Sequence, residues 1–374
     1  MIKVCILTLV HPPFDTRIFH KEAKSLNKAG YDVAIISQIE RNQIVDNIKL
    51  ISFTKPKNRF QRMTKTAIQI FKLALKARAQ IYHFHDPELI LVGLLLKIYT
   101  HSKVIYDVHE DVSQQILTKK AVPQSLRRLV SIFFDFFEKK ASPAFDRIIC
   151  VTEAIAARFL PYNKDTSTVR NYISKFYAES NYARDRRSPD ELNMIFIGSI
   201  YEERCILEAI EALNMLGDLK INFILGGEIH ITYYQKIISK DEHGRVVYKG
   251  ILPYEQVLFE MHNADIGYIC DYPLKRHMEG LPVKLFEYMA VGIPVIASNF
   301  PLWNEIVNGS RCGITVNPLK PEEIACSIRK LYDNVGLRCK MGNNGRNAII
   351  NQYNWEKEFS TLLDVYKRLE GKII

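Results

Sequence analysis

The chain of 374 residues lacks the hallmarks of several large protein classes. Its seven cysteines are scattered, and none stands in a Cys-x-x-Cys pair. This usage argues against a disulfide framework or a zinc site and indicates a reducing compartment. There is no G-x-G-x-x-G fingerprint of dinucleotide binding and no recognised nucleic-acid-binding module. We therefore expect no nucleic-acid partner.

Long apolar runs are also missing. The longest, residues 89–99, is interrupted by Lys97 and is shorter than the roughly 20 residues that a membrane-spanning helix needs. Residues 1–7 form a short apolar run without a cleavage site, which predicts a first core strand and not a signal peptide. The expected location is the cytoplasm, either free or peripheral on the inner face of the cell membrane.

Strand-like apolar runs alternate with helical patterns through most of the sequence. This alternation favours an α/β protein with parallel sheets, and 374 residues are enough for two cores. The polar stretch 174–191 has no apolar periodicity and is interpreted as a linker. The predicted organisation is two doubly wound, Rossmann-like domains that face each other across a cleft, at 1–173 and 192–354, and a last amphipathic helix in 355–374 that packs back toward the first domain.

The net charge of +10 is unevenly distributed. Residues 1–170 hold 27 Lys and Arg against 15 Asp and Glu, whereas the remainder is slightly acidic. Residues 47–80 contain nine basic residues and no acidic one. A basic surface confined to one half indicates an anionic partner for that half, and an anionic membrane surface is the expected candidate. The simpler interpretation is a solvated face on a core helix.

The most informative segment runs from Glu279 to Gly292. A Gly/Pro loop leads into an apolar helix that begins near Pro282 and ends at Gly292. The free amides of a helix N-terminus bind phosphate, and carboxylates such as Glu279 and Glu287 hydrogen-bond sugar hydroxyls. A site that holds a phosphate and a sugar together is what a nucleotide-sugar enzyme requires.

With these features in hand, the chain resembles the family 4 glycosyltransferases, which have the GT-B fold. The resemblance extends over nearly the whole length and includes the following motifs: His11-Pro-Pro-Phe-Asp15-Thr-Arg17, His83-Phe-His85-Asp86, Tyr106-Asp107-Val-His109-Glu110, Phe196-Ile-Gly198, Glu279-x7-Glu287 and Tyr353-Asn-Trp355-Glu356. The family implies transfer of a sugar from a nucleotide donor, with retention of configuration and without an essential metal or other cofactor. The absence of an Asp-x-Asp motif agrees with metal independence.

The resemblance also assigns donor-binding residues. Glu287 would accept hydrogen bonds from the ribose hydroxyls, and Glu279 would orient the transferred sugar as a catalytic residue. Lys284 and Arg204 would stabilise the departing diphosphate. The amides of Leu281 and Val283 belong to the same site.

Two departures from the family pattern concern the phosphate site. Ser199 stands where many members have a second arginine, and Cys205 replaces a glycine after Arg204. The missing second arginine places more weight on Lys284. Gly250 and Ile251, together with the pair Gly226-Gly227, are interpreted as walls of the pocket for the base, although glycines there are also ordinary strand ends. The expected donor is a UDP- or GDP-sugar.

The acceptor side is assigned to the first domain. His109 follows a predicted strand and would be catalytic, in contact with the donor sugar or the leaving group. His85 and Asp86 end the preceding strand, and Asp15 and Arg17 lie in the first loop, so all four are predicted to face a glycan or lipid-linked acceptor. Helix N-capping is an equal alternative for Asp86 and Asp15.

The sequence therefore predicts a retaining glycosyltransferase of surface polysaccharide biosynthesis. Two alternative functions are compatible with the same fold: a non-catalytic GT-B partner subunit and a GT-B nucleotide-sugar epimerase.

Overall fold

The computed structural model describes residues 1–118, 122–180 and 191–371, and it divides the chain into two compact units. Unit 1 comprises residues 1–171 together with the C-terminal segment from Lys357. Unit 2 comprises residues Tyr172–Glu356. Among the described residues, no helix is both long and apolar enough to pass through a bilayer.

Unit 1 is built on an eight-stranded sheet in the order β3-β4-β2-β1-β5-β6-β7-β8, in which only β3 runs antiparallel to its neighbour. Its strands are β1 (Lys3–Leu7), β2 (Asp32–Ser37), β3 (Gln43–Val45), β4 (Ile48–Ser52), β5 (Ile81–Phe84), β6 (Lys103–Val108), β7 (Arg147–Cys150) and β8 (Thr166–Thr168). The chain leaves β1 in one direction along the sheet and later returns to its other side at β5. This reversal is the topological switch point of a doubly wound sheet, where such folds bind ligands beyond the carboxyl ends of the strands.

The helices of unit 1 cover this sheet. They are α1 (Lys24–Lys28), α2 (Arg59–Gln61), α3 (Ala67–Ala77), α4 (Ile90–Thr100), α5 (Val112–Thr118), α6 (Gln124–Ala141) and α7 (Glu153–Phe159), with 3₁₀ turns at Pro87–Leu89 and Ser142–Ala144. Two π-helical segments, Thr16–Ala23 and Arg62–Thr66, precede α1 and α3. Because parallel sheets are covered on both faces, their strands are nearly all apolar, as the fully buried β5 and β7 show.

The last helix, α17 (Trp355–Glu370), contributes to unit 1 from Lys357 onward. Its Tyr366 is buried, and the phenol lies 2.9 Å from Nδ1 of His83. Glu358 accepts a hydrogen bond from the Arg170 amide at 2.7 Å. This helix therefore closes one side of the unit 1 core.

Unit 2 has a six-stranded, fully parallel sheet in the order β11-β10-β9-β12-β13-β14. Its strands are β9 (Leu192–Ile197), β10 (Ile221–Gly226), β11 (Val246–Tyr248), β12 (Ile266–Ile269), β13 (Val295–Ser298) and β14 (Gly313–Val316). Taken in chain order this is 3-2-1-4-5-6, the strand order of dinucleotide-binding Rossmann domains, with the switch point between β9 and β12.

The helices of unit 2 are α8 (Phe176–Glu179), α9 (Ile206–Asn214), α10 (Ile231–Lys240), α11 (Tyr254–His262), α12 (Lys275–Met278), α13 (Val283–Val291), α14 (Pro301–Ser310), α15 (Pro321–Tyr332) and α16 (Val335–Asn351). A 3₁₀ turn, Glu202–Arg204, precedes α9. Buried side chains form one apolar cluster on each face of the sheet, one around Phe223 and the other around Phe286.

The structure corrects the start of the predicted linker. Tyr172, expected in the first domain, packs on Phe286 and Tyr353 of unit 2, with ring centroids 4.6 and 5.5 Å away. Residues 174–180 include α8, and Arg346 donates to the Ala178 carbonyl there at 2.7 Å. The rest of the predicted linker, 181–190, lies outside the described residues.

Candidate active site

Residues suited to bind the donor lie together at the switch point of unit 2. Gly198 follows β9, Asp271 follows β12, and Lys284 stands in the first turn of α13. Because these strands are neighbours and parallel, their carboxyl ends lie side by side. The sequence elements that the family shares thus converge on one edge of the sheet.

Two glycines allow close approach at this edge. Gly198 and Gly227 both have φ of +133°, a conformation that side chains rarely adopt. A Cβ built at Gly227 would lie 2.1 Å from the Gly198 carbonyl oxygen, whereas one built at Gly198 would meet only the end of the Lys284 side chain. The first contact is with rigid backbone and the second with a flexible side chain, so the two positions require glycine for different reasons.

Lys284 is the central cation of this edge. Its Nζ lies 5.2 Å from the ring centroid of Phe196, at the end of β9. Burial lowers the pKa of Lys284 to about 8; the Arg204 charge acts in the same direction, and Asp271 and Glu287 oppose it. A partly desolvated cation beside a helix N-terminus is suited to bind a phosphate anion.

Arg204 is held by a carboxylate. Its Nη1 lies 2.6 and 2.9 Å from the two oxygens of Asp271, and its guanidinium stacks over Tyr201 at 4.8 Å. Burial would lower the pKa of Arg204, but the charge of Asp271 outweighs it and raises that pKa. Arg204 is the last residue of the 3₁₀ turn that precedes α9. Cys205 then adopts the left-handed region at φ 49°. Glycine adopts this conformation most readily, which explains why relatives have a glycine at this position.

Of the two predicted carboxylates, Glu279 precedes α13 and Glu287 lies within it. Glu279 follows α12, has a side chain 42% exposed, and lies 3.8 Å from Lys275 Nζ. Glu287 is half-buried between the buried Phe286 and Tyr288, and its charge acts on Lys284. Trp303 donates from Nε1 to the Gly280 carbonyl at 2.8 Å and so fixes the loop before the helix.

Leu281 and Val283 place their amides around the N-cap of α13, Pro282. Amides in the first turn of an α-helix have no partner within that helix. The predicted base-pocket residues lie beyond β11: Gly250 has φ of +72°, and its carbonyl accepts from the Gly227 amide at 2.7 Å. Ile251 is 75% exposed. Gly250 is thus linked to the glycine pair at the switch point.

At the switch point of unit 1, histidines follow β5 and β6. His85 Nδ1 lies 3.0 Å from His109 Nε2, and Asp107 lies 3.6 Å from both rings. His85 is buried, whereas the His109 side chain is 20% exposed. His109 is therefore a partly exposed member of a row of imidazoles that starts in the core, and the ring of His11 lies 5.3 Å beyond it.

The predicted acceptor role of Arg17 is wrong, because Arg17 is only 2% exposed. Its guanidinium lies 2.8 Å from Glu22 and 2.8 Å from Asp107. The contact with Glu22 follows from the π-helix, whose i to i+5 pairing brings residues five apart together. Arg17 stabilises the interior of unit 1.

Protonation in this interior is set by burial and by Arg17. Burial would raise the pKa of Asp107, but the charge of Arg17 and hydrogen bonds from His109 and His83 outweigh it and hold that pKa well below its usual range. Burial raises the pKa of Glu22 despite Arg17. Burial also lowers the pKa of His83 and, more strongly, of His85, so both rings are neutral near pH 7.

The same groups form a cluster with metal-ligand chemistry. Glu22, His83, His85 and Asp107 each bring one ligand atom within 4.8 Å of the others. Arg17 already pairs with both carboxylates, so the guanidinium supplies the positive charge at this place.

The two predicted aspartates of unit 1 have structural partners. Asp15 is the N-cap of the π-helix and accepts from the Arg17 and Ile18 amides at 2.8 and 2.9 Å. Asp86, 1% exposed, makes no capping bond and instead accepts from Thr8 Oγ1 at 3.0 Å, across the switch point. Capping is therefore observed for Asp15 and is wrong for Asp86.

A cavity of about 1090 Å³ opens at these strand ends, within unit 1. One end is polar and is lined by His11, His85, Asp86, Glu88, His109 and Glu110. The other is largely apolar and is lined by residues of α4, α5, α6 and the second π-helix: Met63, Leu91, Val112, Ile116, Val130, Phe133, Phe134 and Phe137. Arg59, Arg62 and Gln115 also line the cavity, and Arg62 pairs with Glu88 at 2.9 Å. His85, Asp86 and His109 thus share one cavity, as the acceptor prediction requires.

Sequence reasoning missed Asp271 and Glu22. Asp271 lies two residues beyond the end of β12, and its place at the carboxyl end of an apolar strand was the available signal. Glu22 lies within a helical pattern and gives no local signal, because its burial depends on β5 and β6.

Two family models match the chain side by side. The Glycosyltransferase Family 4 model matches residues 16–173, and the model of Glycosyl transferases group 1 matches residues 179–348. The chain thus belongs to the family 4 glycosyltransferases, and the predicted family and enzyme class are confirmed.

Curated relatives agree with this family. The chain is 26% identical to an uncharacterized glycosyltransferase of Methanocaldococcus jannaschii over 48% of this chain and 46% of that protein, so that match spans about half of each. It is 19% identical to a glycogen synthase of Mycobacterium tuberculosis over 94% of this chain and 90% of that protein.

Solved structures confirm the GT-B fold. Sucrose-phosphate synthase from Thermosynechococcus elongatus superimposes with a TM-score of 0.77 at 15% identity and full coverage of both chains. Anabaena HepE in complex with UDP-glucose gives a TM-score of 0.71 at 13% identity, covering 98% of this chain and 100% of that one.

Proposed function

We propose that the protein is a retaining glycosyltransferase that transfers a sugar from a UDP- or GDP-sugar to a glycan or lipid-linked acceptor in surface polysaccharide biosynthesis, at the cytoplasmic face of the membrane. The observation that carries the proposal is the convergence of Lys284, the Arg204–Asp271 pair and the α13 N-terminus at the unit 2 switch point. The UDP-glucose complex of a structural neighbour supports the donor class.

The donor chemistry follows from this arrangement. Departure of a nucleoside diphosphate places negative charge on a phosphate oxygen, and fixed cations with helix amides stabilise that charge. Lys284 supplies the desolvated cation, and Arg204 is oriented by Asp271. Glu287 holds the ribose hydroxyls, and Glu279 orients the transferred sugar.

Unit 1 contributes His109 and the acceptor site. His109 is a partly exposed member of this row of imidazoles and acts on the reacting sugar or the leaving group. His85 and Asp86, which line the same cavity, position the acceptor. Intact charged groups at both switch points favour an enzyme over a non-catalytic partner subunit.

A panel of nucleotide sugars tests the proposal. We expect release of the nucleoside diphosphate from one UDP- or GDP-sugar, at a rate that EDTA leaves unchanged and that Glu287→Ala reduces. The anomeric configuration of the product, determined by NMR, should equal that of the donor. Recovery of a free epimerised nucleotide sugar would assign an epimerase, and no turnover of any donor by a protein that binds nucleotide would assign a partner subunit.

A further inference from the structure

The cavity of unit 1 has a polar end and an apolar end, whereas a soluble glycan acceptor needs only polar contacts. Its polar end carries three carboxylates, Asp86, Glu88 and Glu110, which suit sugar hydroxyls. The opposite end is lined by aromatic and aliphatic side chains, including Phe133, Phe134 and Phe137. A glycan in the cavity would place its hydroxyls against this apolar wall. The hydroxyls would lose their hydrogen bonds to water there, and this desolvation costs free energy.

The apolar end continues onto the surface of α6. Phe133 lines the cavity and is 70% exposed. Beside it the same helix exposes further large apolar side chains: Leu126, Leu129, Ile132 and Phe136. A contiguous apolar surface of this kind marks an interaction site. The cavity therefore leads from the polar strand ends to an apolar outer face.

The charged residues beside this apolar face of α6 indicate what kind of surface it binds. Basic side chains flank the apolar residues of α6 at Arg127, Arg128, Lys139 and Lys140. An amphipathic helix with aromatic residues and flanking Lys and Arg is typical of contact with an anionic lipid surface.

We propose that this cavity binds the hydrocarbon chain of an amphiphilic acceptor, whose sugar head lies at His109 and whose chain leaves over α6 toward the lipid surface. This inference rests on the proposed function and specifies its acceptor as one with a hydrocarbon chain. The volume is large enough, because about 1090 Å³ slightly exceeds the range of roughly 300–1,000 Å³ that is typical of small-molecule sites.

The test uses n-alkyl β-D-glucosides with chains of four to twelve carbons, each below its micellar concentration and without vesicles. Calorimetric titration of the full chain should show the dissociation constant falling three- to fourfold per added methylene until the cavity is full. The heat-capacity change should become more negative along the series, since apolar surface is buried.

Two phenylalanines of α6 provide a matched pair. Phe133→Ala removes a cavity wall and should weaken binding of the dodecyl glucoside about tenfold. Phe136, 58% exposed on the same helix and outside the cavity lining, provides the control: Phe136→Ala should leave the series unchanged. Leu91, 59% exposed, lines the cavity, and Leu91→Trp should fill part of it. The affinity of this variant should therefore stop rising at a shorter alkyl chain than that of the wild type.

Dissociation constants that do not change with chain length, or equal effects of Phe133→Ala and Phe136→Ala, would overturn the inference. A dimer in solution that Phe136→Ala dissociates would assign the apolar face to a second copy of the chain and would overturn it too. Binding of UDP and GDP is measured in every variant to separate the two proposals. If the protein turns over a nucleotide sugar but its dissociation constant for the alkyl glucosides does not change with chain length, only the cavity assignment is rejected. If the protein binds no nucleotide, the proposed function is rejected.

Discussion

At the scale of single residues, Lys284 makes the proposed donor site sensitive to pH. Its pKa is lowered to about 8, so the ammonium is charged below that pH and neutral above it. Affinity for UDP or GDP should be level up to about pH 7.5 and then fall, by at most about tenfold per pH unit above 8. Lys284→Arg keeps the charge and should remove this fall. Titrations from pH 7 to 9.5 measure it, and an unchanged pH profile in Lys284→Arg would assign the titration to another group.

Glu287 and Glu279 should separate binding from turnover. On the proposed role, Glu287→Ala removes ribose contacts that are equal in the ground and transition states, so it should weaken binding of the donor and of the free nucleoside diphosphate. Glu279→Gln should lower kcat more than it raises the donor KM. Steady-state kinetics and nucleotide titration give both values. The ribose assignment is wrong if Glu287→Ala binds the free nucleoside diphosphate as well as the wild type does.

Arg17 should be a stability residue. Arg17→Gln leaves Asp107 buried without its cation, and breaking such a pair costs about 3–5 kcal/mol. Without Arg17, burial should raise the pKa of Asp107 in the folded protein. A buried carboxyl of this kind destabilises the folded protein as the pH rises above the pKa that the same carboxyl has in the unfolded chain. The loss relative to wild type should therefore shrink as pH falls. Hydrogen exchange of β5 and β6 amides measures it.

Lys24→Gln is the control for Arg17→Gln, since Lys24 pairs with Asp46 at the surface and such pairs contribute roughly 0–1 kcal/mol. Equal losses in the two variants would contradict a buried role for Arg17. UDP or GDP binding to unit 2 should survive in both variants.

Residues of the site were predictable where the signal is local. Lys284 and Glu287 stand in one loop-helix segment, and His109 follows one strand, so short windows of sequence reveal them. Arg17 was placed wrongly, because its partners Glu22 and Asp107 become neighbours only through the π-helix and the sheet. The exposure of a charged residue depends on such tertiary partners and cannot be inferred from sequence position alone.

At the scale of elements, the loops after β9 and β10 should respond differently to the same substitution. Gly227→Ala places a Cβ 2.1 Å from backbone, so we expect a destabilised unit 2. Gly198→Ala has the same unfavourable φ but meets only the flexible end of Lys284, so it should lose less stability than Gly227→Ala and should bind nucleotide more weakly. Gly309→Ala, in α14 with nothing within 4 Å, is the control. Thermal unfolding with nucleotide titration measures both effects, and an intact, fully active Gly227→Ala variant would refute the contact.

Elements were predictable where burial dictates composition. The interior strands β9, β12 and β13 are short apolar runs, and parallel sheets produce such runs. The three-residue strands β3 and β8 at the sheet edge carry too few residues for a pattern. Helix α10, with the sequence Ile-Thr-Tyr-Tyr-Gln-Lys-Ile-Ile-Ser-Lys, is rich in β-branched and aromatic residues, so composition alone does not distinguish it from a strand.

At the scale of the whole molecule, the alternation of strands and helices was enough to predict two doubly wound units. The start of unit 2 was not predictable, because the side chain of Tyr172 decides it by packing among distant aromatic residues. The return of the last helix to the first domain was predicted, and α17 does pack in unit 1, where Tyr366 contacts His83.

The charge asymmetry of the molecule leads to the last prediction, an oriented contact of unit 1 with anionic membranes. Replacing the exposed Lys65, Lys72 and Lys76 by Glu should weaken binding to anionic vesicles at least 100-fold, since each Lys near such a surface contributes about 1 kcal/mol. The same changes at Lys236, Lys240 and Lys330, which are exposed on unit 2, alter the net charge equally and should have little effect. Wild-type binding should weaken with salt, because ions screen the contact. Co-sedimentation with vesicles measures all three proteins, and equal losses in the two triple variants would show that total charge, and not an oriented face, controls binding.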